Sequence, residues 1–324
     1  MAAPAPAGKQ RRALLIAGPT CSGKSALALA LAERCRGTII NADSMQVYRE
    51  LRILTARPTL AEEAAVPHAL YGVRPAAEPG DVAWWRAVAL ADMDRAHEAG
   101  RLPILCGGTG MYFAALTDGL ADIPKPSPQA RSQARALLAA EGAEALHARL
   151  AGADPETAAT LRPSDGQRLA RAWEVLAATG KGLAAWQRRT HGSPPDWDFR
   201  AILVYPPRDA LRQAIAARCT SMVERGAIDE VRALLALGLD PALPAMRAHG
   251  VPEFAAYLGG TLSLDGAVAR TALVTGQYTK RQATWFRHHA LAPAMLTIDI
   301  RIADPEQFSA RRMADMQNFI FAPD

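Results

Sequence analysis

The chain has 324 residues, 50% hydrophobic and 21% charged, and Lys+Arg 37 against Asp+Glu 32 leaves a formal charge of +5. This is the composition of a soluble globular protein with room for one large domain or two smaller ones, and its mild basicity falls well short of a histone-like polycation. The four cysteines, Cys21, Cys35, Cys106 and Cys219, form no C-x-x-C pair and have no histidine at zinc-ligand spacing, which argues against structural zinc and for a reducing cytoplasm.

In chain order, residues 1–12 are Ala/Pro-rich and then basic. They lack the apolar core of a secretion signal and read as a disordered tail. Ala13-Leu14-Leu15-Ile16-Ala17 reads as a short buried strand, and residues 26–34 as an Ala/Leu-rich helix. Between them stands Gly18-Pro19-Thr20-Cys21-Ser22-Gly23-Lys24-Ser25, which fills every fixed position of G-x-x-x-x-G-K-[ST], the phosphate-binding loop of ATP-binding proteins. At a helix N-terminus the backbone N–H groups and the dipole favour an anion. Lys24 would reach the outer phosphates and the Ser25 hydroxyl would ligate Mg²⁺.

Further strand signals occur at residues 37–41, 102–106 and 200–205, and residues 82–99 form a helical pattern that stops at Gly100. Strands alternating with helices imply an α/β fold, a parallel sheet covered on both faces around the phosphate loop (P-loop). The alternation breaks after Gly119. A proline hinge at 123–128 leads into residues 129–187, which read as helices only, with breaks near 152–155 and 162–165. A second hinge, His191-Gly192-Ser193-Pro194-Pro195, precedes the strand at 200–205. The organisation expected is therefore a discontinuous core at 13–122 and 198–290, a helical insertion at 123–197 and a C-terminal extension at 291–324. The longest apolar runs are too short to cross a bilayer, so no membrane is expected.

Phosphoryl-transfer P-loop proteins usually place an Asp after a second apolar strand to hold Mg²⁺. Here residues 102–106 run into Gly107-Gly108-Thr109-Gly110 with no carboxylate, and the acid at a strand end is Asp43, in Asn41-Ala42-Asp43-Ser44. Strand C-termini converge on the ligand crevice, so Asp43 and Thr109 should both face the phosphates. Asp-Ser is also a common helix start, which gives Asp43 a purely structural alternative. A diphosphate cradle with one carboxylate suits a reaction in which diphosphate leaves and the carboxylate takes a proton from the nucleophile. It suits a small-molecule kinase equally.

The cradle resembles that of tRNA dimethylallyltransferases, and so do Asn41-Ala42-Asp43-Ser44-Met45-Gln46-Val47-Tyr48, Thr55-Ala56-Arg57-Pro58-Thr59, Val66-Pro67-His68 and Gly107-Gly108-Thr109-Gly110-Met111-Tyr112. The order continues through Asp165-Gly166-Gln167-Arg168-Leu169-Ala170-Arg171-Ala172, Glu174-Val175 and Gln277-Tyr278-Thr279-Lys280-Arg281-Gln282-Ala283-Thr284-Trp285-Phe286-Arg287. The resemblance implies transfer of a dimethylallyl group from dimethylallyl diphosphate to the exocyclic amine of adenosine 37, beside the tRNA anticodon. It implies that Gly18 to Ser25 hold the diphosphate, with Lys24, Thr20 and Arg218 acting on the donor, Ser25 holding Mg²⁺ and Asp43 taking the proton. For the tRNA anticodon loop it implies contacts from Asp43, Ser44, Met45, Gln46, Thr109, Arg131, Gln167, Arg168, Leu169, Ala170 and Arg171.

Arg168 and Arg171 stand at i and i+3 and should share a helix face. Trp285 and Phe286 are expected in the core, as bulky aromatics usually are. The chain departs from the family pattern at Leu54, Ser25, Asp81 and Arg247-Ala248-His249-Gly250-Val251-Pro252-Glu253, which leaves base contacts near His249 open. It lacks the C-terminal zinc finger of some eukaryotic relatives and reads as bacterial in type, a cytoplasmic monomer. Prenylation of a free adenine nucleotide is the alternative within the fold, and the helical insertion argues against it. A non-catalytic RNA-binding module is a further alternative, which the intact Lys24, Ser25 and Asp43 argue against.

Overall fold

The computed structural model describes residues 11–189, 195–304 and 308–322. The chain divides into two compact units, one comprising residues up to Thr117 and from Asp196 onward, the other Asp118–Pro195.

The first unit begins with β1 (Arg12–Ala17), α1 (Lys24–Cys35), β2 (Gly37–Asn41), α2 (Leu60–Ala65), β3 (His68–Ala69), α3 (Val82–Glu98), β4 (Leu102–Gly107) and α4 (Gly110–Thr117). The second unit is helical: α5 (Pro128–Ala153), α6 (Pro155–Thr160), α7 (Gly166–Thr179) and α8 (Leu183–Arg189). The first unit then resumes with β5 (Asp198–Val204), α9 (Arg208–Glu224), α10 (Ala227–Ala236), α11 (Val251–Leu258), α12 (Leu264–His288), β6 (Ala294–Ile298) and α13 (Ala310–Phe321).

The sheet order is β3-β2-β4-β1-β5-β6, and every pairing is parallel. Because side chains alternate along a strand, one strand feeds two cores. Leu14 and Ile16 of β1 join Ile104 of β4, Leu27 and Leu31 of α1 and Met313, Met316 and Ile320 of α13 on one face. Ala13, Leu15 and Ala17 join Leu105, Trp85 of α3, Phe113 of α4 and Phe286 of α12 on the other. Burial on both faces explains why these strands read as continuous apolar runs. The register sets Ala17 beside Gly107 and Asn41 beside Cys106, so the ends of β1, β2 and β4 open onto the same edge.

Four expectations are corrected. Arg12 is not tail: it opens β1, and its Nε donates to Asp198 Oδ2 at 2.5 Å beside the first residue of β5, which begins two residues earlier than expected. Residues 1–10 lie outside the described residues. The segment from 291 is not an appendage, because β6 pairs with β5 and α13 covers one sheet face. Trp197 belongs to the first unit, packing edge-on to His97 and under the Arg11 guanidinium. Of the second expected hinge, residues 191–194 lie outside the described residues.

The second unit closes its own small core around Ala134, Leu146, Leu150, Leu169 and Ala172. Ser127 caps α5, accepting from Ala130 N–H at 3.1 Å with Pro128 at the first helical position, so the proline run ends by starting a helix. α5 is broken at Gly142, where φ is 82°.

Candidate active site

The cradle joins β1 to α1. Lys24 lies over it, its Nζ donating to Pro19 O at 3.4 Å. The loop rests on the segment after β6. Ile302 N–H donates to Ser22 O at 2.9 Å, and Arg301 Nε donates to Cys21 O at 3.1 Å. Gly23 has φ 93°, and a Cβ there would lie 1.9 Å from Ile302 O, so only glycine fits both the left-handed turn and the close approach.

Asp43 follows the end of β2. Asn41, fully buried, fixes it from both sides: its Oδ1 accepts from Asp43 N–H at 2.8 Å and its Nδ2 donates to Asp43 O at 2.9 Å. Trp85 Nε1 donates to Asn41 O at 2.8 Å and is itself stacked on Tyr112. Asp43 Oδ1 accepts from Met45 N–H at 2.9 Å. That is a turn and not a helix cap, since no helix begins until Leu60. The carboxylate is thus anchored by one oxygen at the cavity wall.

Thr109 is committed to protein, because its Oγ1 accepts from Ser44 N–H at 3.0 Å and donates to Ser44 Oγ at 3.3 Å. Gln46 donates its amide to Thr55 O and Ala56 O at 2.9 and 3.0 Å, which leaves only its carbonyl oxygen for a base edge.

A cavity of about 320 Å³ lies between these groups, bounded by Thr20, Lys24, Ser25 and Asp43 on one side and by α9 and α12 on the other. From α9 it receives Arg218, with Ile215 one turn before it, Cys219 next to it and Met222 one turn after it as an apolar wall. Arg218 donates to Leu54 O at 3.1 Å, its Nη1 lies 3.8 Å from Cys21 Sγ, and its Nε is buried without a protein partner. Glu230 of α10 braces that contact, its carboxylate accepting from the N–H groups of Arg52, Ile53 and Leu54 at 2.7–2.9 Å. The arrangement is cationic around the loop, apolar along α9 and carboxylate-bearing at the β2 end. That suits a ligand with an anionic head and a short apolar tail whose far neighbour gives up a proton.

Burial sets the titration of the far wall. It pushes the Tyr278 hydroxyl up to about 12, with the Asp43 charge adding to the shift, so Tyr278 stays protonated at neutral pH. His249, edge-on to Tyr278 at 5.1 Å, is lowered by burial and is neutral there. Its departure from the family motif therefore sits inside the cavity wall. No group of three or more His, Cys, Asp or Glu side chains forms a metal cluster among the described residues. Ser25, exposed at the cavity, offers the kind of single oxygen that Mg²⁺ uses beside substrate phosphates.

The remaining candidates lie in the second unit. Arg131 is in the first turn of α5, and α7 presents Gln167 and Arg168 to solvent, with Arg171 half-buried against Glu174 at 3.3 Å. Leu169 and Ala170 are 0% and 7% exposed and pack that unit's core, so their side chains offer RNA little or no surface. Asp81, also a departure, caps α3 by accepting from Trp84 N–H at 2.8 Å, a role Ser fills equally well. Asn41, Gln282, Glu230, Arg301 and Ile302 had no assigned role in the sequence. Asn41 and Gln282 stood within the matched motifs, which was the available signal.

The chain matches the family model "IPP transferase" over residues 46–289 and "Isopentenyl transferase" over residues 11–69. It is 62% identical to the tRNA dimethylallyltransferase of Granulibacter bethesdensis over 97% of this chain and 99% of the relative. It is also 62% identical to that of Gluconacetobacter diazotrophicus over 96% and 95%. Among solved structures it resembles the tRNA isopentenylpyrophosphate transferase of Bacillus halodurans, with TM-score 0.65 and 32% identity over 96% of both chains. A eukaryotic dimethylallyltransferase acting on tRNA superposes with TM-score 0.78 at 26% identity, covering 95% of this chain and 79% of that one.

Proposed function

The chain belongs to the family of tRNA dimethylallyltransferases, and from that premise we infer how its residues carry the reaction. The enzyme transfers a dimethylallyl group to the exocyclic amine of adenosine 37, next to the tRNA anticodon. The donor in this reading is dimethylallyl diphosphate, with its head in the cradle of Gly18 to Ser25 and its tail along Ile215, Cys219 and Met222. One observation carries the assignment: Lys24, Arg218 and Asp43 line a single cavity that also has an apolar wall.

The adenine leaves its stack to reach that cavity, which a single-stranded anticodon loop permits at modest cost. Its amine nitrogen attacks the carbon bearing the diphosphate. The N–C bond forms as the C–O bond breaks, the electron pair leaves on diphosphate, and the amine proton passes to Asp43. Lys24, the cradle N–H groups and Arg218 stabilise the charge growing on the leaving group. The buried, unpartnered Nε of Arg218 supports this role, since such a donor is costly unless an acceptor arrives. Thr20 positions the donor from within the loop. Mg²⁺, held by Ser25 and diphosphate oxygens, would supply further charge neutralisation on the leaving group.

Ser44, Met45, Gln46 and Thr109 shape the entrance beside Asp43, while Arg131, Gln167, Arg168 and Arg171 serve the RNA backbone from the helical unit. We take the enzyme to work as a monomer in the cytoplasm; that the described cysteines are all free supports a reducing compartment. The deciding assay incubates the protein with labelled dimethylallyl diphosphate and unmodified tRNA, then AMP, then with ATP replacing the donor. Label in tRNA alone supports the reading, and label in AMP but not in tRNA would sink it.

A further inference from the structure

We propose that Gln282 is the positioning residue that sets the spacing between the diphosphate cradle and the proton-accepting Asp43. Gln282 lies on α12 and is 5% exposed, so it meets neither solvent nor substrate freely. Its Oε1 accepts from Thr20 N–H at 2.9 Å, inside the cradle. Its Nε2 donates to Gly108 O at 2.8 Å, at the end of β4. Thr20 N–H can only donate and a carbonyl can only accept, so the partners fix the amide's orientation.

The link runs on from Gly108 to the neighbouring Thr109, whose Oγ1 holds Ser44 N–H at 3.0 Å, and Ser44 follows Asp43 in the chain. One buried side chain therefore ties the donor loop to the loop after β4, which in turn holds the residue next to Asp43. Neither loop is fixed to the other by sheet hydrogen bonds at these residues, because both lie beyond their strands. Tyr278, one turn earlier on α12, lines the same cavity as Asp43. The consequence is specific. Losing Gln282 leaves cradle and carboxylate each able to form and loosens only the distance between them.

The proposal rests on the reading that the cradle holds the donor and Asp43 takes the proton. The test measures dimethylallyl diphosphate and tRNA dissociation constants, single-turnover transfer with both saturating, and thermal unfolding, for the wild type, Gln282→Met and Gln282→Glu. Met keeps the length and loses both hydrogen bonds, whereas Glu keeps the acceptor toward Thr20 and sets a carboxylate against Gly108 O. Expected is a transfer rate slower by about 10- to 100-fold, as for a misplacement on the order of 1 Å, with both dissociation constants within about threefold of wild type.

A wild-type rate in Gln282→Met would overturn the proposal while leaving the function intact. So would a slowing matched by loss of donor affinity, which marks a mere prop of the cradle. If Gln282→Met melts early, Gln282→Glu carries the same comparison with the same two overturning results. A wild-type chain that transfers no label to tRNA would overturn the functional reading and this proposal with it.

Discussion

Gly107→Ala is expected to slow the enzyme without touching a substrate. Gly107 ends β4 beside Ala17, and a Cβ built on it would stand 2.0 Å from Ala42 O. Carbon and oxygen keep roughly 3 Å apart in packed interiors, so Ala42 or the strand end must yield by about 1 Å. Ala42 cannot move alone, since its N–H donates to Cys106 O at 2.8 Å and its carbonyl accepts from Thr109 N–H at 3.2 Å. The shift passes to Asp43, its neighbour. A misplacement of that size costs about 100-fold in rate, on the order of 2.7 kcal/mol of transition-state stabilisation. Overpacking costs about 1–3 kcal/mol of stability, within the usual margin of about 5–15 kcal/mol, so the protein stays folded. Donor binding should hold, because the cradle hangs from β1 and α1. The assay is single-turnover transfer beside a donor titration and a thermal melt. A folded Gly107→Ala protein with a rate within about twofold of wild type would refute the reasoning.

Asp43→Ala is expected to lose transfer by at least about 100-fold while still binding dimethylallyl diphosphate, and unchanged turnover would remove Asp43 from the mechanism. The double variant Arg168→Ala/Arg171→Ala should raise the tRNA KM and flatten its salt dependence by up to about two phosphate contacts, read from binding at several salt concentrations. For His249, burial holds the folded pKa below the ordinary 6.5, so the stability of its neutral form is present above that value and is lost as pH falls through the lowered one. Urea melts between about pH 7.5 and 5 should therefore show a smaller acid loss in His249→Gln than in wild type, and parallel losses would contradict the assignment.

β1, β2 and β4 were legible because both faces are buried and their sequences are apolar without alternation. β6 was not. At the sheet edge its residues alternate between half-buried and exposed, and what makes Ala294–Ile298 a strand is its pairing with β5, about ninety residues earlier. That Lys24, Ser25 and Asp43 meet at one cavity was legible because each stands in a motif at the end of a strand. Gln282 and Glu230 act on backbone atoms that only tertiary structure delivers, so no spacing announces them. Leu169 and Ala170 went the other way: they shared a motif with Arg168 and Arg171, yet the apolar series Leu169, Ala172, Trp173 and Leu176 already marked a buried face.

The dependence of the cradle on Ile302 and Arg301 also orders the enzyme's assembly during synthesis. Gly18 to Ser25 emerge early from the ribosome, but β1 lacks its second flanking strand until β5 is made, and the loop's floor is supplied about 280 residues after the loop itself. The helical unit, which closes a small core from its own residues, can mature meanwhile. A nascent chain therefore completes its helical unit before it owns a finished cradle, and the proposed donor capture is among the last properties the molecule acquires.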